Sequence, residues 1–202
     1  MQIFTLVTGV IYIILEIRQK NFMWIVGILT SLAAMWVFFR QGLYASFGLN
    51  TYYLVTSFVG LWHWGRDKQK LGSRGSVKSK SGKAKNERAK STVHLNKMSW
   101  ITFLGSLVFM VAGTLGLAKG MELLEDPMSY LDSAVTVMSI VATWWLVRAY
   151  IQQWWLWIVA DALSAALCMQ QGMWPMVALY AAYTVSAVIG YVYWKRNGQY
   201  IK

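Results

Sequence analysis

The segment QQWWLWIVADALSAALCMQQG, residues 152–172, carries the residues best suited to chemistry. Trp154, Trp157 and Asp161 stand at i, i+3 and i+7, so a helix puts them on one face, and Ser164 continues the line. Indole faces stack on flat rings and attract positive charge, and a carboxylate is a strong partner for a cation. The pattern suits a flat, cationic, partly aromatic ligand. Two structural readings stand beside it. Trp154 and Trp155 fit an interfacial aromatic belt, and Asp161 fits a hydrogen bond to a neighbouring helix. An ionisable group inside a membrane span costs about 3 kcal/mol or more and faces a cavity or a partner. No basic residue stands at matching depth, which favours a ligand or ion role for Asp161.

A second polar line runs along residues 43–64, where Asn50, Tyr53 and Ser57 are spaced i, i+3, i+7. Near the C-terminus Tyr180, Tyr183 and Ala187 repeat that spacing. Buried amides and phenols need hydrogen-bond partners; for Asn50 a shared cavity and an inter-helix bond serve equally well. Asp132 belongs either to an external vestibule or to the first turn of a helix, where the macrodipole favours an acid. Glu16, beside Arg18 and Lys20, reads as a solvated helix end. His63 and His94 stand alone, without metal-ligand spacing. The one cysteine, Cys168, lies in an apolar run and reads as a packing residue, with no disulfide or cysteine metal site. There is no GxSxG, HExxH or phosphate-binding glycine loop. The depths of Asp132 and Asp161 differ too much for an acid pair. Neither a cofactor, a metal nor an enzymatic reaction is expected.

The elements that must hold these residues are membrane helices. The chain of 202 residues is 57% hydrophobic and 13% charged, far from a soluble balance. About 20 apolar residues cross the hydrocarbon as a helix. Seven windows fit, approximately 2–17, 22–39, 43–64, 99–118, 129–147, 154–170 and 173–194. Continuous apolar runs argue against a β-barrel, whose strands alternate. MQIFTLVTGV has no basic leading region and no cleavage site before EIRQK, so it reads as a span rather than a signal peptide. The fold class expected is all-α integral membrane.

Residues 66–97 hold eleven of the nineteen Lys and Arg residues and almost no large apolar side chains. The segment reads as a flexible cytoplasmic loop. Seven spans then put seventeen of the nineteen basic residues on the inner side, leaving only Arg40 and Lys119 outside. The N-terminus is external and the C-terminus internal. The net charge of +11 does not point to nucleic acid, since no aromatic residue is interleaved with the loop's charges.

A shift of 130 residues superposes Trp24, Ile28, Gln41, Gly42, Leu49, Tyr53, Val55, Gly60, Trp64 and Arg66 on identical residues from Trp154 to Arg196, without a gap. Arg18 falls on Arg148. Helices one to three thus read as a copy of helices five to seven. The expected organisation is a first three-helix repeat over 1–66, the basic loop over 67–97 and a connector helix over 98–120. A second repeat over 121–196 and a tail over 197–202 complete it. The connector adds one crossing, so the repeats run parallel. In transporters of that kind the substrate site lies near mid-membrane between the copies.

The chain resembles the Pnu-type vitamin transporters, whose members carry nicotinamide riboside, thiamine or riboflavin. The resemblance rests on LYAS (43–46), GLWHW (60–64), DSAVTVMSIVA (132–142) and WWLWIVAD (154–161). In the last of these Trp154, Trp157 and Asp161 fill a WxxWxxx(N/D) pattern. It implies two three-helix repeats joined by one helix, an architecture related to the SWEET sugar transporters, and often trimeric. It also implies facilitated diffusion in the bacterial inner membrane, with the vitamin trapped by a cytosolic kinase. Nicotinamide riboside members have asparagine at the position of Asp161 and glutamine at that of Asn50. By these two departures the chain is similar to the thiamine members. Thiamine is therefore the substrate expected, with nicotinamide riboside the alternative and Trp154, Trp157, Asp161, Asn50, Tyr53, Tyr180, Tyr183 and Asp132 the site.

Overall fold

The computed structural model describes residues 12–40, 44–78, 93–123 and 130–200. Seven helices are seen among them. They are α1 (described over 12–17), α2 (Phe22–Arg40), α3 (Tyr44–Lys78), α4 (Trp100–Leu123), α5 (Tyr130–Val147), α6 (Gln153–Gln170) and α7 (Trp174–Asn197). Two three-residue strands, β1 (Val93–Leu95) and β2 (Gly198–Tyr200), pair in parallel, with His94 opposite Gln199. Six helices start within one residue of the expected windows; the first window, 2–17, lies mostly outside the described residues. Of the described helices, Trp100–Gly120 in α4, α5 and α7 are long and apolar enough to cross a membrane. Along α4, Trp100, Ile101, Val108, Phe109 and Val111 are all exposed, a surface that suits a hydrocarbon solvent.

The basic segment differs from expectation at both ends. Residues 67–78 continue α3, and 93–95 form β1 with all three side chains buried. Lys, Gln, Leu and Arg are good helix formers, and extending a helix costs far less than nucleating one, so α3 runs on past its apolar part. The expected tail likewise contributes β2. Residues 79–92 lie outside the described residues.

Two turns, 130 residues apart, are built alike. Gln19 (φ 49°) follows α1 and Ala149 (φ 54°) follows α5, both in the left-handed region. The Lys20 N–H donates to Leu15 O and the Gln19 N–H to Glu16 O, each at 2.9 Å. At the equivalent positions Tyr150 N–H donates to Trp145 O at 3.0 Å and Ala149 N–H to Leu146 O at 2.9 Å. This is one Schellman cap made twice. A further cap closes α6, where Gly172 (φ 71°) donates to Met169 O and Met173 to Cys168 O. Pro175 then sits in the first turn of α7, where its missing N–H costs least. The counterpart of Gly172, Gly42, lies outside the described residues.

The chain divides into two compact units, residues 1–96 with 146–149 and 193–202, and residues 97–145 with 150–192. The expected connector helix therefore falls within the second unit. In the first, α2 lies along α3, and the buried Trp64 ring meets Trp24 edge-on at 5.1 Å and His94 at 5.4 Å. In the second, Val141, Trp145 and Tyr150 form a core with Met98, Met110 and Leu156. Trp145 Nε1 donates to Ser106 Oγ at 3.1 Å.

Candidate functional site

On helix α6, three residues of the expected face, Trp154, Asp161 and Ser164, are buried, and the fourth, Trp157, is half-buried. The helix's buried side chains are Gln153, Trp154, Ala160, Asp161, Ser164 and Cys168, a stripe at helical spacing. Ser164 returns its hydroxyl to Ala160 O at 2.8 Å, which satisfies it within the helix. Asp161 is 9% exposed, and no hydrogen bond or ion pair among the described residues reaches its carboxyl group. One turn earlier the Trp157 indole N–H is buried and also lacks a hydrogen-bond partner among those residues. A buried N–H without a partner is costly unless something else satisfies it.

Trp154 stands differently. Its ring fills the space above Gly190, where any Cβ on the glycine would overlap it. The equivalent pair does the same in the first unit: a Cβ on Gly60 would lie 2.5 Å from the Trp24 ring. The same contact at a position without a neighbouring acid marks it as helix packing. The repeat also shows where the two copies diverge. Gly27 occupies the position of Trp157, close enough to Ser57 that a Cβ would lie 2.8 Å from Oγ, and Ser31 occupies that of Asp161.

On α7, Tyr180 and Tyr183 meet edge-on with ring centroids 6.3 Å apart. Trp157 and Asp161 on α6 and Tyr180 and Tyr183 on α7 all belong to the second unit. Asp132 is exposed in the first turn of α5. Asn50 and Tyr53 lie half-buried on α3 in the first unit. Tyr53 O accepts the Ser57 hydroxyl at 2.7 Å.

The histidines are not isolated, as the sequence had suggested. His63 Nδ1 lies 3.1 Å from Asp67 Oδ2, and His94 Nε2 lies 3.9 Å from the same oxygen. Asn96 Nδ2 donates to it at 3.2 Å. The i, i+4 spacing of His63 and Asp67 was visible in the sequence; the arrival of His94 and Asn96 was not, because it depends on how the basic segment returns. No group of three side chains able to hold a metal ion occurs among the described residues.

A family model described as nicotinamide mononucleotide transporter matches residues 1–196. Relatives include the nicotinamide riboside transporter PnuC of Escherichia coli, 28% identical over 165 residues that cover 78% of this chain and 69% of that one. The PnuC proteins of Neisseria mucosa (25% identical, 94% of this chain and 70% of that one) and Haemophilus influenzae (22%, 94% and 76%) bear the same description. A crystal structure of the vitamin B3 transporter PnuC shares the fold, with a TM-score of 0.65 at 22% identity, over 95% of this chain and 79% of that one. These relatives are named for nicotinamide riboside, the alternative to the expected thiamine. With the family match running almost the whole length of the sequence, the chain belongs to the nicotinamide mononucleotide transporter family and is a membrane transporter.

Proposed function

We propose that the protein mediates facilitated uptake of a cationic, ring-bearing B vitamin, with nicotinamide riboside the first candidate. The observation that carries this reading is Asp161, a largely buried residue whose carboxyl group has no partner among the described residues, four residues on from Trp157, whose N–H has none there either. A ligand with a positive ring and hydrogen-bonding groups satisfies both at once. Tyr180 and Tyr183 offer further polar contacts. Trp154 supports the site from behind. The names of the relatives support nicotinamide riboside.

Thiamine is the second reading, and Asp161 itself favours it. By the family resemblance, nicotinamide riboside members have asparagine there. A full counter-ion suits a cation that has no ribose to hold by neutral hydrogen bonds.

In this reading the chain crosses the inner membrane seven times, as two parallel SWEET-like repeats joined by α4, with the N-terminus outside and the C-terminus in the cytoplasm. The matched caps at Gln19 and Ala149 and the matched Trp24–Gly60 and Trp154–Gly190 contacts support the repeat. Rocking of one repeat against the other gives alternating access. A homotrimer, and trapping of the vitamin by intracellular phosphorylation, follow from the resemblance. The vitamin leaves the protein chemically unchanged. Binding of nicotinamide riboside, thiamine and riboflavin to detergent-purified protein tests the proposal. Selective nicotinamide riboside binding supports the first reading, selective thiamine binding replaces it with the second, and binding of neither cation ends both.

A further inference from the structure

Residues 94–96 join the two equivalent caps. The Gln19 side chain takes up both backbone groups of His94: its Nε2 donates to the His94 carbonyl at 2.9 Å, and the His94 N–H donates to its Oε1 at 2.8 Å. Two residues on, Asn96 N–H donates to Ala149 O at 3.2 Å and Asn96 Nδ2 to Arg148 O at 2.8 Å. Gln19 and Ala149 are the matched left-handed residues after α1 and α5. One extended stretch therefore ties together the ends of the first helices of both repeats.

A second pair of ties crosses between the repeats. Trp64, on the last helix of the first repeat, donates its indole N–H to Leu146 O at 3.2 Å, at the end of α5. Its counterpart Trp194, on the last helix of the second repeat, donates to Ile17 O at 3.0 Å, at the end of α1. Both rings are fully buried, with centroids 6.4 Å apart. Both acceptors are carbonyls at a helix end, and Leu146 O also accepts the Ala149 N–H. Asp67, near the end of the apolar part of α3, holds Asn96 and stands beside His94.

We propose that residues 93–96, backed by β2, form a latch that fastens one end of the two repeats together and releases in every transport cycle. The proposal rests on the rocking-repeat reading above. His94 and Asn96 are two residues apart, about 7 Å along an extended chain. That span is too short to hold both caps if they separate. A displacement beyond about 1 Å takes these bonds out of range. The latch is also weak enough to open. A two-stranded ribbon is marginal without further support, and the strap adds polar bonds to the carbonyls of two helix ends, each of modest net strength.

The test uses a Cys168→Ser background, which has no cysteine, with Leu95→Cys introduced; Leu95 is 2% exposed behind the strap. Val93→Cys, at a position equally buried, is the second probe should the first fail to fold. The protein in lipid nanodiscs is treated with a hydrophilic maleimide, and uptake of nicotinamide riboside and of thiamine is measured on the same variants in proteoliposomes. A latch predicts slow labelling that rises about tenfold when Gln19→Ala removes its two bonds to His94. Thiols that stay unreactive with and without Gln19→Ala, while uptake proceeds, overturn the latch. Gln19-dependent labelling without uptake of either vitamin overturns the vitamin reading and leaves the latch standing.

Discussion

The Trp154 ring lies over Gly190 as the Trp24 ring, 130 residues earlier, lies over Gly60. Each glycine is where a helix lets an indole approach its backbone, and neither contact leaves room for a methyl group. Gly190→Ala and Gly60→Ala each destabilise by about 1–3 kcal/mol, the cost of overpacking a filled site. Thermal unfolding in detergent reads this. Gly65→Ala, with nothing within 4 Å of its Cβ, is the neutral control; equal melting temperatures for all three variants refute the packing role.

The two tryptophans of the WxxW pattern separate by the same logic. Trp154→Ala opens a large cavity and costs about 3–5 kcal/mol of stability. Trp157, only half-buried and with an unpartnered N–H, loses vitamin affinity on conversion to alanine while the melting temperature changes far less. Calorimetric titration beside thermal unfolding distinguishes them, and the reverse pattern would falsify the division of labour.

Asp161→Asn removes a charge with no protein partner among the described residues, so the fold is retained and the melting temperature does not fall. Affinity for a cationic vitamin drops about 10- to 100-fold, the scale of a charge-assisted contact worth about 1.5–3 kcal/mol. Nicotinamide riboside binding that survives while thiamine binding is lost identifies thiamine as the vitamin that needs the carboxylate. Unchanged affinity for both removes Asp161 from the site.

Trp64→Phe and Trp194→Phe keep the rings and delete the N–H donors. Trp194→Phe removes the donor to Ile17 O and costs about 1–2 kcal/mol. Leu146 O keeps its bond from the Ala149 N–H, so Trp64→Phe costs less. Denaturant or thermal unfolding checks this, and a larger loss for Trp64→Phe contradicts it.

Much of the fold was legible because membrane helices are governed by local rules. Apolar length alone placed six helix starts within one residue, and helical spacing put Trp154, Asp161 and Ser164 on one buried stripe. The ends were less legible. The apolar signal stops near Trp64 while hydrogen-bond propagation carries α3 on to Lys78. The strand at Val93–Leu95 has no local signature at all; it exists because β2 and the Gln19 side chain supply partners from distant parts of the chain.

By itself the sequence determined the class of molecule, the identical residues spaced 130 apart and the acid among tryptophans, since each depends on composition and on spacing along the chain. Tertiary structure alone decided that Trp154 packs on a glycine while Trp157 is half-buried with its N–H unpaired among the described residues, and that His94 and Asn96 arrive at Asp67. It also decided that Trp64 and Trp194 bond across the repeats. The physical reason is common to all of these. A side chain's partner is whatever the folded chain brings within about 3 Å, and residues brought together from 27 to 177 positions away leave no periodicity to read.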